Sequence, residues 1–144
     1  MNLWPPFRGA GIRVIEFADD YRSAEVELRM GRLNRNAVGT HFGGSLYAMT
    51  DPFYPLMLMH LLGKPYRVAH AGARIDFLAP ASGTVRARFE VGEARLDALR
   101  RQAADGHRHL VEFAADVTNH KGETVARAVH IIHVRLKPPQ EARA

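Results

Sequence analysis

The sequence contains no cysteine in its 144 residues. Disulfides, thiolate nucleophiles and cysteine-ligated zinc are thereby excluded, and the redox compartment is left open. Long hydrophobic runs are also missing. The uncharged stretch from Pro52 to Leu62 is interrupted by His60 and is far short of the roughly 20 apolar residues that span a bilayer. The N-terminal MNLWPPFRGAG lacks the basic-then-apolar pattern of a secretory signal, so the expected location is cytoplasmic, with no membrane span. Although 20 basic residues face 15 acidic ones, for a net charge of +5, no basic tract with interleaved aromatics is present. The excess therefore reads as a solvated surface, and no nucleic-acid partner is expected. Phosphate loops of the Gly-x-x-x-x-Gly-Lys kind and serine nucleophile elbows are absent. The 8 histidines show no reliable metal-ligand spacing, so no metal is expected.

What is present is an ordinary globular balance, 47% hydrophobic and 24% charged, which predicts one domain over 1–144 with loosely ordered ends at 1–11 and 138–144. Ile12–Phe17 reads as a short strand. Ser23–Met30 alternates cleanly, with Ala24, Val26, Leu28 and Met30 on one face. Between Arg67 and Ala79 the odd positions Ala69, Ala71, Ala73, Ile75 and Phe77 form an apolar face. The next strand sets Val85, Ala87, Phe89 and Val91 against charged neighbours. Glu93–Ala104 reads as a short surface helix. A hairpin of Arg108–Thr118 and Thr124–Leu136 carries apolar residues on both faces, as covered central strands do.

The chain is organised around Asn36–Gly63. This stretch opens with polar and glycine residues and becomes a helix that is apolar on every side, which predicts burial on every side. Asp51 is the one carboxylate in it, and an acid among apolar groups must be paired, hydrogen-bonded or used. Desolvation there would raise its affinity for protons and make it a better base near neutral pH. Pro52 and Pro55 predict a kinked or loosened turn just after it. Gly43 lets a backbone N–H approach a carbonyl closely at the positive end of a helix. Structural roles remain open for each residue. Asp51 can bond freed backbone or a partner's Asn36, Gly43-Gly44 can permit close packing, and Asn36 can form a turn or cap. His41 lies beside the helix start, and Ser45 and Thr50 suit capping as well as substrate contact.

A single antiparallel sheet of about six strands around one long helix, with a short surface helix, is an α+β hotdog architecture. The run Asn36-x-x-Gly39-Thr40-x-x-Gly43-Gly44 with Asp51, together with Ile75-Asp76-Phe77-Leu78-Ala79-Pro80-Ala81, resembles the hotdog acyl-CoA thioesterases of the phenylacetate-pathway type. The resemblance spans roughly residues 10–137. Those enzymes read His-Gly-Gly where this chain has Phe42-Gly43-Gly44, with histidine one place earlier at His41. Phe-Gly-Gly-Ser followed by Asp-Pro-Phe-Tyr is similar to a poorly characterised thioesterase-like branch, a domain of unknown function.

The resemblance implies that the Gly43 N–H polarises a thioester carbonyl, that Asp51 activates water or attacks, and that Asn36 positions water or substrate. His41, Phe42, Gly44 and Ser45 are the candidates for substrate contact. No cofactor is expected beyond coenzyme A as part of the substrate.

Helix geometry adds an independent expectation. Eight residues separate Gly43 from Asp51, about 12 Å along a helix. One chain's N–H and carboxylate therefore cannot both reach one thioester, and a site using both takes them from two chains across a two-fold axis. A homodimer or a dimer of dimers is expected. The alternative is a non-catalytic hotdog module that binds acyl-CoA or a lipid-like ligand.

Overall fold

Period-two alternation makes the strands, and their pairing makes one sheet. The computed structural model describes residues 1–139. β1 (Ile12–Phe17) pairs with β2 (Ser23–Arg29), and β2 pairs with β4 (Thr84–Glu90). β5 (His109–Thr118) and β6 (Thr124–Leu136) form the long hairpin, with β3 (Tyr66–Phe77) on the far side of β6. The 6-stranded sheet has the order β1-β2-β4-β5-β6-β3, antiparallel throughout. Ala24, Val26 and Leu28 of β2 and Val85, Ala87 and Phe89 of β4 are each at most 2% exposed, as the alternation predicts. Phe89 stacks on Phe53 at a centroid distance of 4.5 Å and meets Tyr54 edge-on at 5.3 Å. Phe89→Ala should therefore destabilise the fold by about 3–5 kcal/mol, measured by urea or thermal unfolding.

Several expectations are corrected. The proline-rich start is ordered: α1 (Pro5–Ala10) has Pro5 at its first position and drives Phe7 into the core. Of the expected loose end, residues 140–144 lie outside the described part of the chain. The central helix is two helices, α2 (Gly43–Ala48) and α3 (Phe53–Leu62). Pro52 and Pro55 have no N–H to continue the i→i−4 ladder, and residues 49–52 form a turn closed by i→i−3 bonds from Thr50 and Asp51.

Nor is α3 buried on every side. Phe53, Met57 and Leu58 are sealed, whereas Leu56 is 39% and Met59 47% exposed. β5 also alternates rather than being covered on both faces, leaving Leu110 and Glu112 outside. α4 (Glu93–Ala103) connects β4 to β5 and buries Leu96, Leu99 and Ala103.

β3 departs furthest from simple alternation. A register shift between His70 and Gly72 leaves Ala71 unmatched in the ladder with β6. Before the shift Val68 and His70 pair with the buried Val134 and Ile132; after it Ala73 pairs with the buried His130. One extra residue inverts the face. His70 and Ala73 thus lie on the same side of the sheet, and Ala71 is exposed. Among the described residues, no helix is long and apolar enough to cross a membrane.

Candidate functional site

Asn36 closes the loop ahead of α2. Its Nδ2 donates to Thr40 Oγ1 at 2.8 Å and to the His41 carbonyl at 3.2 Å. Its Oδ1 accepts from the backbone N–H groups of Val38 and Thr40. Both ends of the amide are thereby engaged in the loop, as the turn reading allowed.

His41 is buried, with its Nε2 2.7 Å from the Gly83 carbonyl, so Nε2–H donates and Nδ1 is the free lone pair. Burial, partly offset by that bond, lowers its affinity for protons and keeps it neutral. Its Nδ1 has no hydrogen-bond partner among the described residues.

Gly43 is the first residue of α2, and its N–H has no intrahelical acceptor. A Cβ at this position would lie 2.8 Å from Phe77 Cζ, so any side chain there would displace the far end of that exposed ring. Asn36, His41 and Gly43 line one cleft of about 570 Å³ with Leu46, Phe77 and Leu78.

The other candidates part company with this group. Phe42 and Ser45 line a smaller hollow of about 210 Å³ beside Gly9 and Asn34, and the Phe42 ring covers Gly44. Asp51 opens instead into a third, largely apolar cleft of about 420 Å³ with Trp4, Pro52, Pro55, Leu56 and His70. Gly43 and Asp51 of one chain thus border different clefts.

Asp51 is not the sealed acid that an all-apolar helix implied. Its side chain is 42% exposed because the helix breaks around it. Oδ1 accepts from Tyr47 Oη at 2.8 Å and faces His70 Nδ1 at 3.2 Å. Oδ2 has no hydrogen-bond partner among the described residues. Burial, with Asp51 beside it, pushes the Tyr47 hydroxyl up to about 12, so it remains a donor.

The contacts continue inward. His70 Nε2 lies 3.2 Å from His130 Nδ1, His130 Nε2 lies 3.1 Å from Thr50 Oγ1, and Thr50 Oγ1 lies 2.8 Å from the Tyr47 carbonyl. His130 and Thr50 are completely buried. Sequence reasoning missed His70 and His130 as site residues, because 60 positions separate them and only the β3–β6 register brings them together. The sequence near Asp51 held one usable signal: Tyr47 is four positions before it, a spacing at which side chains meet in helix-like backbone.

Burial, then the neighbouring His70, lowers the His130 value to about 4. An unfolded histidine takes its proton near 6.5, so between those values the unfolded chain binds more protons. This contribution to stability is full above pH 6.5 and is lost as pH falls towards 4, by roughly 2–3 kcal/mol. A series of Tm measurements from neutral to acid pH should show this loss, and His130→Leu should flatten it. Among the described residues, no three His, Asp or Glu side chains converge as a metal site.

A family described as a domain of unknown function, DUF4442, matches residues 1–134. The chain belongs to that family. No curated protein matches it. Among solved structures, a Pseudomonas aeruginosa protein of unknown function, described as a probable thioesterase, is 18% identical with a TM-score of 0.76. That match covers 90% of this chain and 85% of the other. A Haemophilus influenzae thioesterase is 15% identical with a TM-score of 0.66, covering 94% and 85%. The Escherichia coli PaaI protein of the phenylacetic acid degradation operon is 17% identical with a TM-score of 0.63, covering 92% and 85%. These likenesses establish the hotdog fold for this member of the family.

Proposed function

We propose that the protein hydrolyses acyl-CoA or acyl-carrier thioesters, with Asp51 as base or nucleophile and the Gly43 N–H as oxyanion donor. The observation that carries this reading is the Asp51 carboxylate. One oxygen is held by Tyr47 and His70, the other has no partner among the described residues, and the residue lines a largely apolar cleft of about 420 Å³.

In the base form of the reaction, water attacks the thioester carbon as Asp51 takes its proton. The carbonyl oxygen becomes negative against the Gly43 N–H. The C–S bond then breaks, and the thiolate leaves with the proton held on Asp51, giving carboxylic acid and thiol. Asn36 acts by holding the loop that presents Gly43, and His41 braces that loop against Gly83. No resident cofactor is required.

The separate clefts support a site shared between two protomers in a homodimer, which can pair further into a dimer of dimers. So does the free side of β3. That strand has 12 residues and lies at the sheet edge, with Phe77 at its end exposed, and an open edge of this kind invites pairing. In the two-fold arrangement Asp51 of one chain faces Gly43 of the other. A cytoplasmic location suits a CoA-dependent reaction.

Thiol release from a panel of acyl-CoAs tests the reading, and saturable binding without turnover would favour the non-catalytic module instead. An enoyl-CoA belongs in the panel, because an Asp–His pair is also what water addition to a double bond requires.

A further inference from the structure

Behind Asp51 and His70 stand two buried residues, His130 and Thr50, that the thioesterase reading alone leaves unused. Thr50 has one hydroxyl proton and two neighbours, the Tyr47 carbonyl at 2.8 Å and His130 Nε2 at 3.1 Å. The carbonyl can only accept, whereas the imidazole can donate, so both contacts are hydrogen bonds only if Thr50 gives its proton to the carbonyl. His130 Nε2 then carries a proton and donates to Thr50. Deep burial keeps His130 neutral, so its Nδ1 is a lone pair that must accept from His70 Nε2–H. His70 Nδ1 is left facing an Asp51 oxygen that already accepts from Tyr47. Two acceptors at 3.2 Å need a proton between them.

We propose that His70 is a positioning residue for Asp51. Held as an imidazolium by the ordered sequence Thr50–His130, it donates to Asp51 Oδ1 and leaves Oδ2 free to take the proton of water or to attack. The proposal rests on the reading of Asp51 as the reacting carboxylate. It goes beyond that reading in naming what holds the carboxylate in place and aims its second oxygen. The titratable groups in contact with the pair are Tyr47 from α2, which remains protonated, and His130 from β6, which remains neutral. The chain of bonds ends on a backbone carbonyl, so it orients protons and does not conduct them.

Two measurements on the full chain test this separately. NMR of isotope-labelled histidine rings near neutral pH should show both nitrogens of His70 protonated and His130 as the Nε2–H tautomer. Thr50→Val, which removes the hydroxyl that fixes the tautomer, should alter both patterns. A neutral His70, or patterns unchanged in Thr50→Val, would overturn the proposal.

Kinetically, His70→Ala should lower kcat about 10- to 100-fold with KM changed less than about threefold. The acid limb of kcat/KM should move to higher pH, because the donor beside the carboxylate is gone. His70→Asn, which keeps a donor, should recover part of kcat and bring the limb part of the way back. A wild-type profile in His70→Ala would sink the role. If the wild-type protein turns over no thioester at all, the proposed function fails, and the ring-nitrogen spectra still decide the proton order on their own.

Discussion

Asp51→Asn should abolish thioester hydrolysis, lowering kcat by about 10²–10⁴-fold, with acyl-CoA binding retained. The substitution keeps the shape of the side chain and an oxygen to accept from Tyr47, but it removes both the basicity and the nucleophilicity of the second oxygen. Stability should change by no more than about 1 kcal/mol, since the group is half-exposed and its ion pair is partly screened. The loss of rate would then be chemical and not a loss of fold, which parallel Tm and turnover measurements separate. Turnover within a factor of two of wild type would remove Asp51 from the mechanism.

The second large effect is complementation between two inactive variants. Gly43→Pro deletes the proposed oxyanion donor by chemistry, since proline has no N–H. The backbone tolerates it. Position 43 is the first residue of α2, where proline is favoured, and Phe42 before it is extended at φ −61° and ψ 127°. The new ring displaces only the far end of the exposed Phe77 side chain. Each variant alone should be inactive. Unfolded and refolded together in equal amounts, they should regain about a quarter of wild-type activity. Half of randomly formed dimers are mixed, and each mixed dimer has one intact site out of two. Mixed material that stays inactive, with dimers shown to have exchanged, would mean that the acid and the donor do not meet across two chains.

Much of the fold was legible because it rests on local periodicity. Val85, Ala87 and Phe89 alternate with arginines and point into the core, and Ala24, Val26 and Leu28 do the same. Proline chemistry marked the break in the central helix, although the turn takes in Met49 to Pro52 and not only the residues after Asp51. The apolar-all-round pattern misled in two ways. It gave no account of the open stripe of Leu56 and Met59, and it implied a sealed Asp51. Composition reports that a helix is apolar, whereas exposure depends on what lies against each face and on whether the helix is continuous. Of the expected site residues, Asn36, His41 and Gly43 share a cleft because they are near neighbours in the chain. Asp51 stands apart from them because the broken helix carries it on to another cleft.

Residue types acting over a few positions are enough to set the six strands, the glycine start of α2, the proline turn that holds Asp51 and the absence of thiol chemistry. That His70 and His130 stand behind Asp51 follows instead from long-range strand pairing. Strict alternation places His70 on the face opposite Ala69, Ala71 and Ala73, but one unmatched residue at Ala71 turns His70 and Ala73 to the same side. The register of β3 on β6, a pairing of segments far apart in the chain, then sets the two rings in contact. A local pattern cannot encode a face that a long-range pairing inverts.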